Sequence, residues 1–575
     1  MNYSADIKKT PRHFLPTNFS ISTWENLEPY FKQLLEAELS SKNELETWLK
    51  NSSELEAAIS EDACWRQIKM TCNTEDKKLE ADFTFFIMEI QPKIQPYADL
   101  LNKKLLASPF VNELDASLFF TFLRSVKKNI ALFREENIPI HAELSILQQQ
   151  FGNISAKMTV EIQGKEYTLQ QAAKFLENSD RAIRELAYRK INERRLQDKN
   201  ELNNLFSSLI EKRHQIAVNA GFENFSDYRF AELGRFDYTK KECIQFHEAV
   251  KQFVLPVVNE IYKKKKLELG LIDFRPWDIE APTANEKLLT PFSTAKELLE
   301  KTIQCFDKLN PFFGDCLRKM ETLGQLDLDS RKGKAPGGYN CPLAETGAPF
   351  IFMNAAGKMS DVTTMIHEGG HAVQSFLAHS LSLNGFKEYP MEIAEVASMS
   401  MELFSMDYWR EFFSSKEELN QAKRKQLENV ITIFPWIATI DKFQHWVYEN
   451  PKHSIEERET SWINILNEFT PSALEVSDLD EFRKNFWQKQ LHLFEVPFYY
   501  IEYAIAQLGA IGMWMQFKSD KEKALNNYTA ALALGGTKTL PELFATAGLS
   551  FNFSPEAIKT QIEFVQKQLT KTTDK

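Results

Sequence analysis

In the stretch DVTTMIHEGGHAVQSFLAHS, residues 361–380, two histidines stand four residues apart with a glutamate directly after the first. Val362, Met365, Ile366, Val373, Phe376 and Leu377 supply the apolar stripe of an amphipathic helix, and Asp361 is placed to cap it. On such a helix His367 and His371 share one face, about one 5.4 Å turn apart. Two imidazoles so placed can meet one Zn²⁺ at about 2.0 Å each. Glu368 lies beside the first histidine and would reach a metal-bound water rather than the metal, which is the place of a general base. Glycine inside a helix costs about 1 kcal/mol relative to alanine. The pair Gly369–Gly370 therefore implies that something packs very closely against the helix at that point.

A catalytic zinc takes three protein ligands and keeps one position open. The candidates for the third lie in YPMEIAEVASMSMELF, residues 389–404, where Pro390 suits the first turn of a helix. Glu392, Glu395 and Glu402 fall on neighbouring faces, the last two seven residues apart and nearly superposed along the axis. A carboxylate buried in so apolar a helix needs a partner. The spacing alone leaves all three open.

These motifs carry a resemblance. The chain resembles the oligoendopeptidase F branch of the thimet oligopeptidase family of zinc metallopeptidases, whose pattern is H-E-x-G-H followed about two dozen residues later by E-x-x-S-x-x-x-E. Glu395, Ser398 and Glu402 match the second part in register. The clearest other matches are Asp227–Tyr238, the Gly333–Tyr339 loop and the tail HLFEVPFYYIEYAIAQLGA, residues 492–510. The resemblance implies that Glu395 is the third zinc ligand, that Glu402 orients a ligand imidazole, and that Glu392 is only a helix-face residue. It also implies that His492 and Tyr503 assist catalysis by stabilising the oxyanion. Tyr499 and Tyr500 would help hold substrate. Many relatives carry a further histidine three residues after the second ligand, where this chain has Gln374; the thermolysin-like aspartate is replaced by Met399.

The implied fold is mainly α: a two-lobed, mostly helical zincin-like metallopeptidase with a deep substrate channel and a small β element beside the active site. The implied activity is zinc-dependent hydrolysis of internal bonds in short peptides, with one Zn²⁺ per chain. Competing readings are an exopeptidase, a zinc-holding peptide binder without catalysis, and a helical scaffold without metal. Glu368 argues against the second, since binding alone does not require a base.

Helical periodicity dominates the elements that must position these groups, over residues 24–58, 168–218 and 238–268. Strand signals are few. Residues 157–168 read as a hairpin turning at Gln163–Gly164, and residues 349–354 as an apolar strand. The latter, Phe352 included, is expected to bind extended substrate by main-chain hydrogen bonds. The glycine-rich loop 331–339 does not fit the phosphate-binding pattern and reads as a flexible or tightly turned loop. Its Gly337 and Gly338 are expected to move over bound substrate. The expected division is an N-terminal helical region, 1–200, and a catalytic helical region, 201–575.

Composition bounds the rest. Of 575 residues, 43% are hydrophobic and 26% charged, as in globular proteins. A net charge of −11 argues against nucleic acid or an anionic membrane as partner and does not choose a substrate; short peptides are the partner that the resemblance implies. Lys263–Lys266 reads as a solvated helix face. No run reaches the roughly 18 apolar residues of a membrane span, and no apolar signal region is visible at the start. Six sparse cysteines without a C-x-x-C pair suggest neither a disulfide framework nor a thiolate zinc site. The expectation is six reduced thiols and a cytoplasmic protein.

Overall fold

The computed structural model describes residues 3–284, 286–331, 333–335 and 337–572. Lys332 and Pro336 of the glycine-rich loop lie outside them. Helices dominate, with five short strands among the described residues. The periodic stretches resolve into shorter pieces. Residues 24–58 become Trp24–Glu36 and Lys42–Cys72, the second capped by the Ser41 side chain accepting from the Glu44 N–H. Residues 238–268 become Lys240–Ala249 and Leu255–Glu268, separated by a π turn that Pro256, lacking an N–H, closely follows.

Eight helices matter below: α1 (Lys42–Cys72), α2 (Lys240–Ala249), α3 (Ala295–Leu309), α4 (Met359–Ala378), α5 (Met391–Ser405), α6 (Lys416–Glu449), α7 (Tyr500–Ser519) and α8 (Lys521–Leu532). The strands are β1 (Thr159–Ile162), β2 (Lys165–Thr168), β3 (Leu326–Asp329), β4 (Tyr339–Cys341) and β5 (Phe350–Ala355).

Contacts divide the chain into two compact units. The first takes Met1–Phe133, Leu289–Ala422 and Ile505–Phe551; the second takes Arg134–Leu288, Lys423–Ala504 and Asn552–Lys575. Residue 200, where the sequence suggests a regional boundary, lies within the second unit. That unit also contains the β1–β2 hairpin, whose turn residues Gln163 and Gly164 both have positive φ, as a two-residue type I′ turn requires.

In the first unit β3, β5 and β4 form a sheet in that order, β5 parallel to β3 and antiparallel to β4. The reading of β5 as a strand that accepts extended substrate is therefore corrected. Its backbone is engaged on both sides, and β4 is the edge strand on its antiparallel side. Phe352 is fully buried, its ring stacked on Tyr339 with centroids 4.8 Å apart and capped by the Lys334 ammonium. Ile68, Trp65 and Cys64 of α1 pack on Cys341, Leu343 and Phe350, so α1 backs this sheet.

The glycine-rich loop is tightly held where it is described. Asn354 Nδ2 donates to the carbonyls of Ala335 and Gly337, and Ala335 N donates to Thr71 of α1. Two further expectations change. Cys64 of α1 and Cys341 of β4 form a disulfide, with Cα atoms 6.4 Å apart; only Cys72, Cys243, Cys305 and Cys316 are free thiols. These two residues are 277 positions apart, a pairing no local spacing announces. Asp361 is not the N-cap of α4. The helix starts two residues earlier, and the Asp361 carboxylate in its first turn accepts from the N–H groups of Ala356 and Lys358. No helix among the described residues is long and apolar enough to cross a membrane.

Candidate metal centre

Helices α4 and α5 cross where α4 has no side chain to separate them. A β-carbon on Gly370 would stand 2.6 Å from Ser398 Cα and 2.9 Å from the Ala397 carbonyl oxygen. One on Gly369 would meet the Phe306 ring of α3 at 2.8 Å. This is the close packing that the glycine pair implies. It brings the third turn of α4 against the first half of α5, and so brings the histidines of one to the carboxylates of the other. Helix α5 is braced by two further helices. Tyr528 of α8 donates its hydroxyl to the Ala397 carbonyl at 2.8 Å, and Gly509 of α7 leaves room for Val396.

Within this crossing the donor atoms converge. Glu395 Oε2 lies 3.3 Å from His367 Nε2 and 4.0 Å from His371 Nε2. The two imidazoles stand edge to face, 4.9 Å between centroids. Donors held at about 2.0 Å around a tetrahedral ion lie about 3.3 Å from one another, so these three groups fit a divalent cation with modest adjustment. The other nitrogen of His367, Nδ1, donates to Glu402 Oε1 at 2.8 Å. With Nδ1 so engaged, Nε2 is the nitrogen turned toward the cluster. Ser398 donates to the Glu395 carboxylate at 3.3 Å. Among the described residues, His367, His371 and Glu395 form one of two groups whose donors could hold a metal ion.

The electrostatics agree. In the metal-free site burial pushes the Glu368 carboxyl up to about 7, with Glu395 and Glu402 adding to the rise and His367 opposing it. Burial pulls His371 down to about 4, aided by the charge of His367, so it is neutral at pH 7. Burial would lower His367 as well, but its hydrogen bonds to Glu395 and Glu402 outweigh that and raise it. A largely enclosed array of two carboxylates and two imidazoles, of which Glu395 is buried and the others half-buried, is costly unless compensated, and a cation would do so.

The edge of β4 adjoins this centre: Asn340 Nδ2 donates to the Glu368 carbonyl at 3.2 Å. Gly338, just before β4, packs with a would-be β-carbon 3.4 Å from both the Phe352 carbonyl and Thr364 of α4. Sequence reasoning passed over Asn340, because a lone asparagine in a three-residue strand has no periodicity to mark it. Glu392, expected on a helix face, is buried. Gln374 is also buried, and neither atom of its amide finds a hydrogen-bond partner among the described residues.

The remaining candidates form a separate group inside the second unit. Tyr499 precedes α7 rather than lying on it, yet its ring is 5.1 Å from that of Tyr503. His492 lies within 5.9 Å of the Tyr499, Tyr500 and Tyr503 rings. A relay sets its tautomer. Trp436 Nε1 donates to Gln490 Oε1, so the Gln490 amide nitrogen donates to His492 Nδ1 at 2.8 Å. The ring proton is then on Nε2, 3.4 Å from the Tyr503 hydroxyl. Tyr500 is buried.

A profile of Peptidase family M3 matches residues 174–562, and one of the Peptidase M3 N-terminal domain matches residues 14–133. The chain belongs to Peptidase family M3. Within it the similarity is to the oligoendopeptidase F branch. An oligoendopeptidase F homolog of Borreliella burgdorferi is 25% identical over 408 residues, 69% of this chain and 65% of that protein. Oligopeptidase PepF of Bacillus subtilis is 20% identical over 420 residues, 70% of this chain and 59% of that protein. The match thus spans less than two thirds of each of these relatives. A solved structure of PZ peptidase A with an inhibitor superposes with a TM-score of 0.90 at 26% identity, over 96% of this chain and 99% of the other. The mostly helical M3 fold with a small sheet beside the candidate centre follows from these likenesses. The M3 N-terminal domain ends at residue 133, where the first segment of the first unit also ends.

Proposed function

We propose that this M3 peptidase is a zinc-dependent oligoendopeptidase that cleaves internal bonds of short peptides in the cytoplasm. The observation that carries the reading is the approach of both Nε2 atoms, from His367 and His371, to a single oxygen of Glu395, with Glu368 one residue from the first histidine. In this reading His367, His371 and Glu395 hold one Zn²⁺. When bound, the metal supplies Lewis acidity and lowers the pKa of water to about 7. Glu368 takes the proton of the attacking water and hands it to the departing amine. A carboxyl lifted toward neutrality by burial suits a group that must both accept and release a proton. Glu402 holds His367 in its metal-facing tautomer.

For the tetrahedral oxyanion, the family resemblance supplies His492 and Tyr503 as donors. The Trp436–Gln490 relay supports this for His492, because it leaves the proton on Nε2 where it can be donated. Tyr499 and Tyr500 remain candidates for holding substrate. The edge of β4, with Gly337 and Gly338 leading into it, is the strand available to an extended peptide.

The test is mass spectrometry of a blocked ten-residue peptide incubated with the protein, before and after chelation and after zinc is returned. Internal cleavage that stops with the chelator and resumes with zinc is the expected result. Trimming only from free ends would assign an exopeptidase instead. No cleavage of a varied peptide set by zinc-loaded protein would overturn the hydrolytic reading.

A further inference from the structure

A second cluster of metal-ligating side chains lies in the second unit and takes no part in the chemistry above. Helix α2 carries Cys243 and His247, and α6 carries Asp441 and His445. Each pair is spaced i, i+4, so each lies on one helix face. The two faces oppose one another. Cys243 Sγ, one carboxylate oxygen of Asp441 and one ring nitrogen of His445 all fall within 4.8 Å of each other. His247 Nε2 donates to Asp441 Oδ2 at 2.8 Å. None of the four residues is more than 4% exposed.

The hydrogen bonding of this cluster is incomplete in a particular way. Asp441 Oδ1 and His445 Nδ1 are buried with no hydrogen-bond partner among the described residues, and His445 Nε2 has only a long 3.5 Å approach to Asp441 Oδ2. Leaving such atoms unpaired in a protein interior is costly, and the aromatic rings of Phe230 and Phe498 beside His445 offer nothing in return. An imidazole nitrogen, a carboxylate oxygen and a thiol within reach of one another, backed by a supporting histidine, are the donor set of a metal site. From these we infer that Cys243, Asp441 and His445 bind a second Zn²⁺, with His247 as the positioning residue that orients the Asp441 carboxylate.

The chemistry suits zinc. Thiolate, imidazole and carboxylate are its ordinary donors, at about 2.3 Å for sulfur and about 2.0–2.2 Å for nitrogen and oxygen. Donor atoms within 4.8 Å of one another need to close by about an ångström to reach those lengths. Binding releases the Cys243 proton, and the ion with one thiolate, one carboxylate and a neutral imidazole leaves no net charge in the core. The nearest cation, Arg235, is already neutralised by Glu502 at 2.8 Å, both groups being buried. The carboxylate–histidine pair is the arrangement that commonly supports a ligand from behind. Every ligand lies on a helix and none is exposed, so the ion pins α2 to α6.

Cobalt substitution separates this site from the proposed catalytic one, whose histidine and glutamate donors include no thiolate. Protein grown in zinc-supplemented medium should hold two zinc ions per chain by elemental analysis. After exchange into cobalt(II), wild-type protein should show a near-ultraviolet thiolate-to-cobalt charge-transfer band. Cys243→Ser should lose that band and one equivalent of metal, and His445→Phe should lose the same equivalent. Peptide cleavage should stay within about threefold of wild type in both. His371→Ala should keep the band. One metal per chain and no such band in cobalt-loaded wild type, a measurement that needs no variant to fold, would overturn the inference. So would a band that survives Cys243→Ser.

Discussion

The backbone of Gly370 lies against the backbone of Ser398, so close that a β-carbon on the glycine would sit 2.6 Å from the Ser398 Cα. This contact sets the distance between the helix that carries the two histidines and the helix that carries Glu395. Replacing Gly370 with alanine should therefore act on both stability and metal retention. The obstructing atoms are backbone and cannot turn aside, so a loss of about 1–3 kcal/mol is expected. Gly369→Ala meets only the Phe306 ring and should cost less. Thermal unfolding with zinc content measured in parallel checks this; a Gly370→Ala protein that keeps its zinc and its Tm would mean the crossing is looser than described.

Glu368→Gln keeps the shape and burial of the side chain but cannot take a proton. It should retain zinc at the wild-type stoichiometry while kcat falls by about 10²-fold or more. A variant with near-wild-type turnover would remove Glu368 from the role of base.

Glu402 reaches the proposed centre through His367 Nδ1. Glu402→Ala should weaken zinc binding by about 10–100-fold, read by competition with a chromophoric chelator, and activity should return at excess zinc. Activity lost at every zinc concentration would instead point to a direct part in the reaction.

Asp327 at β3 binds Arg331 through both carboxylate oxygens and Lys334 through one. Lys334 is wholly buried and also donates to the carbonyls of Asp327, Asp329 and Met353. Burial would raise the Asp327 carboxyl, but the hydrogen bonds from Arg331, Cys72 and Lys334 hold it well below its ordinary 3.8. A carboxyl lowered by folding contributes stability that is complete above the unfolded value and drains away as pH falls toward the folded one. Asp327→Asn should thus destabilise by about 3 kcal/mol at neutral pH, chiefly by stranding the buried ammonium. The gap from wild type should narrow steadily below about pH 3.8. Urea unfolding across that range is the measurement, and a gap that does not change with pH would show that charge is not its source.

The chemistry of the candidate centre was legible because it is local. An i, i+4 histidine pair, a glutamate beside it and two glycines that needed an explanation all sit within one helix. Which of Glu392, Glu395 and Glu402 approaches the imidazoles was not legible from spacing, since a helix crossing decides it, and the crossing depends on Gly370 meeting a residue 28 positions on. The sheet was half legible. β5 is long and apolar enough to stand out, but β3 reads as LDLD and β4 has only three residues, so the central position of β5 could not be seen. Thiolate metal sites stand out in a sequence where cysteines are paired, and Cys243 and His247 have their partners nearly two hundred residues away. The same blindness to distance hid the Cys64–Cys341 bond and the three-segment composition of the first unit.

That composition bears on how the molecule is made. The hydroxyl that braces Ala397 belongs to Tyr528, 131 residues further along. At a ribosomal rate of about 5–20 residues per second, α5 emerges roughly 7–26 s before its brace. Through that interval Ala397 and its apolar neighbours have no Tyr528 to cover them, and the histidines of α4 wait beside an unsupported partner. The α4–α5 crossing therefore needs protection from aggregation until Tyr528 is available, and metal loading belongs after that point rather than before it.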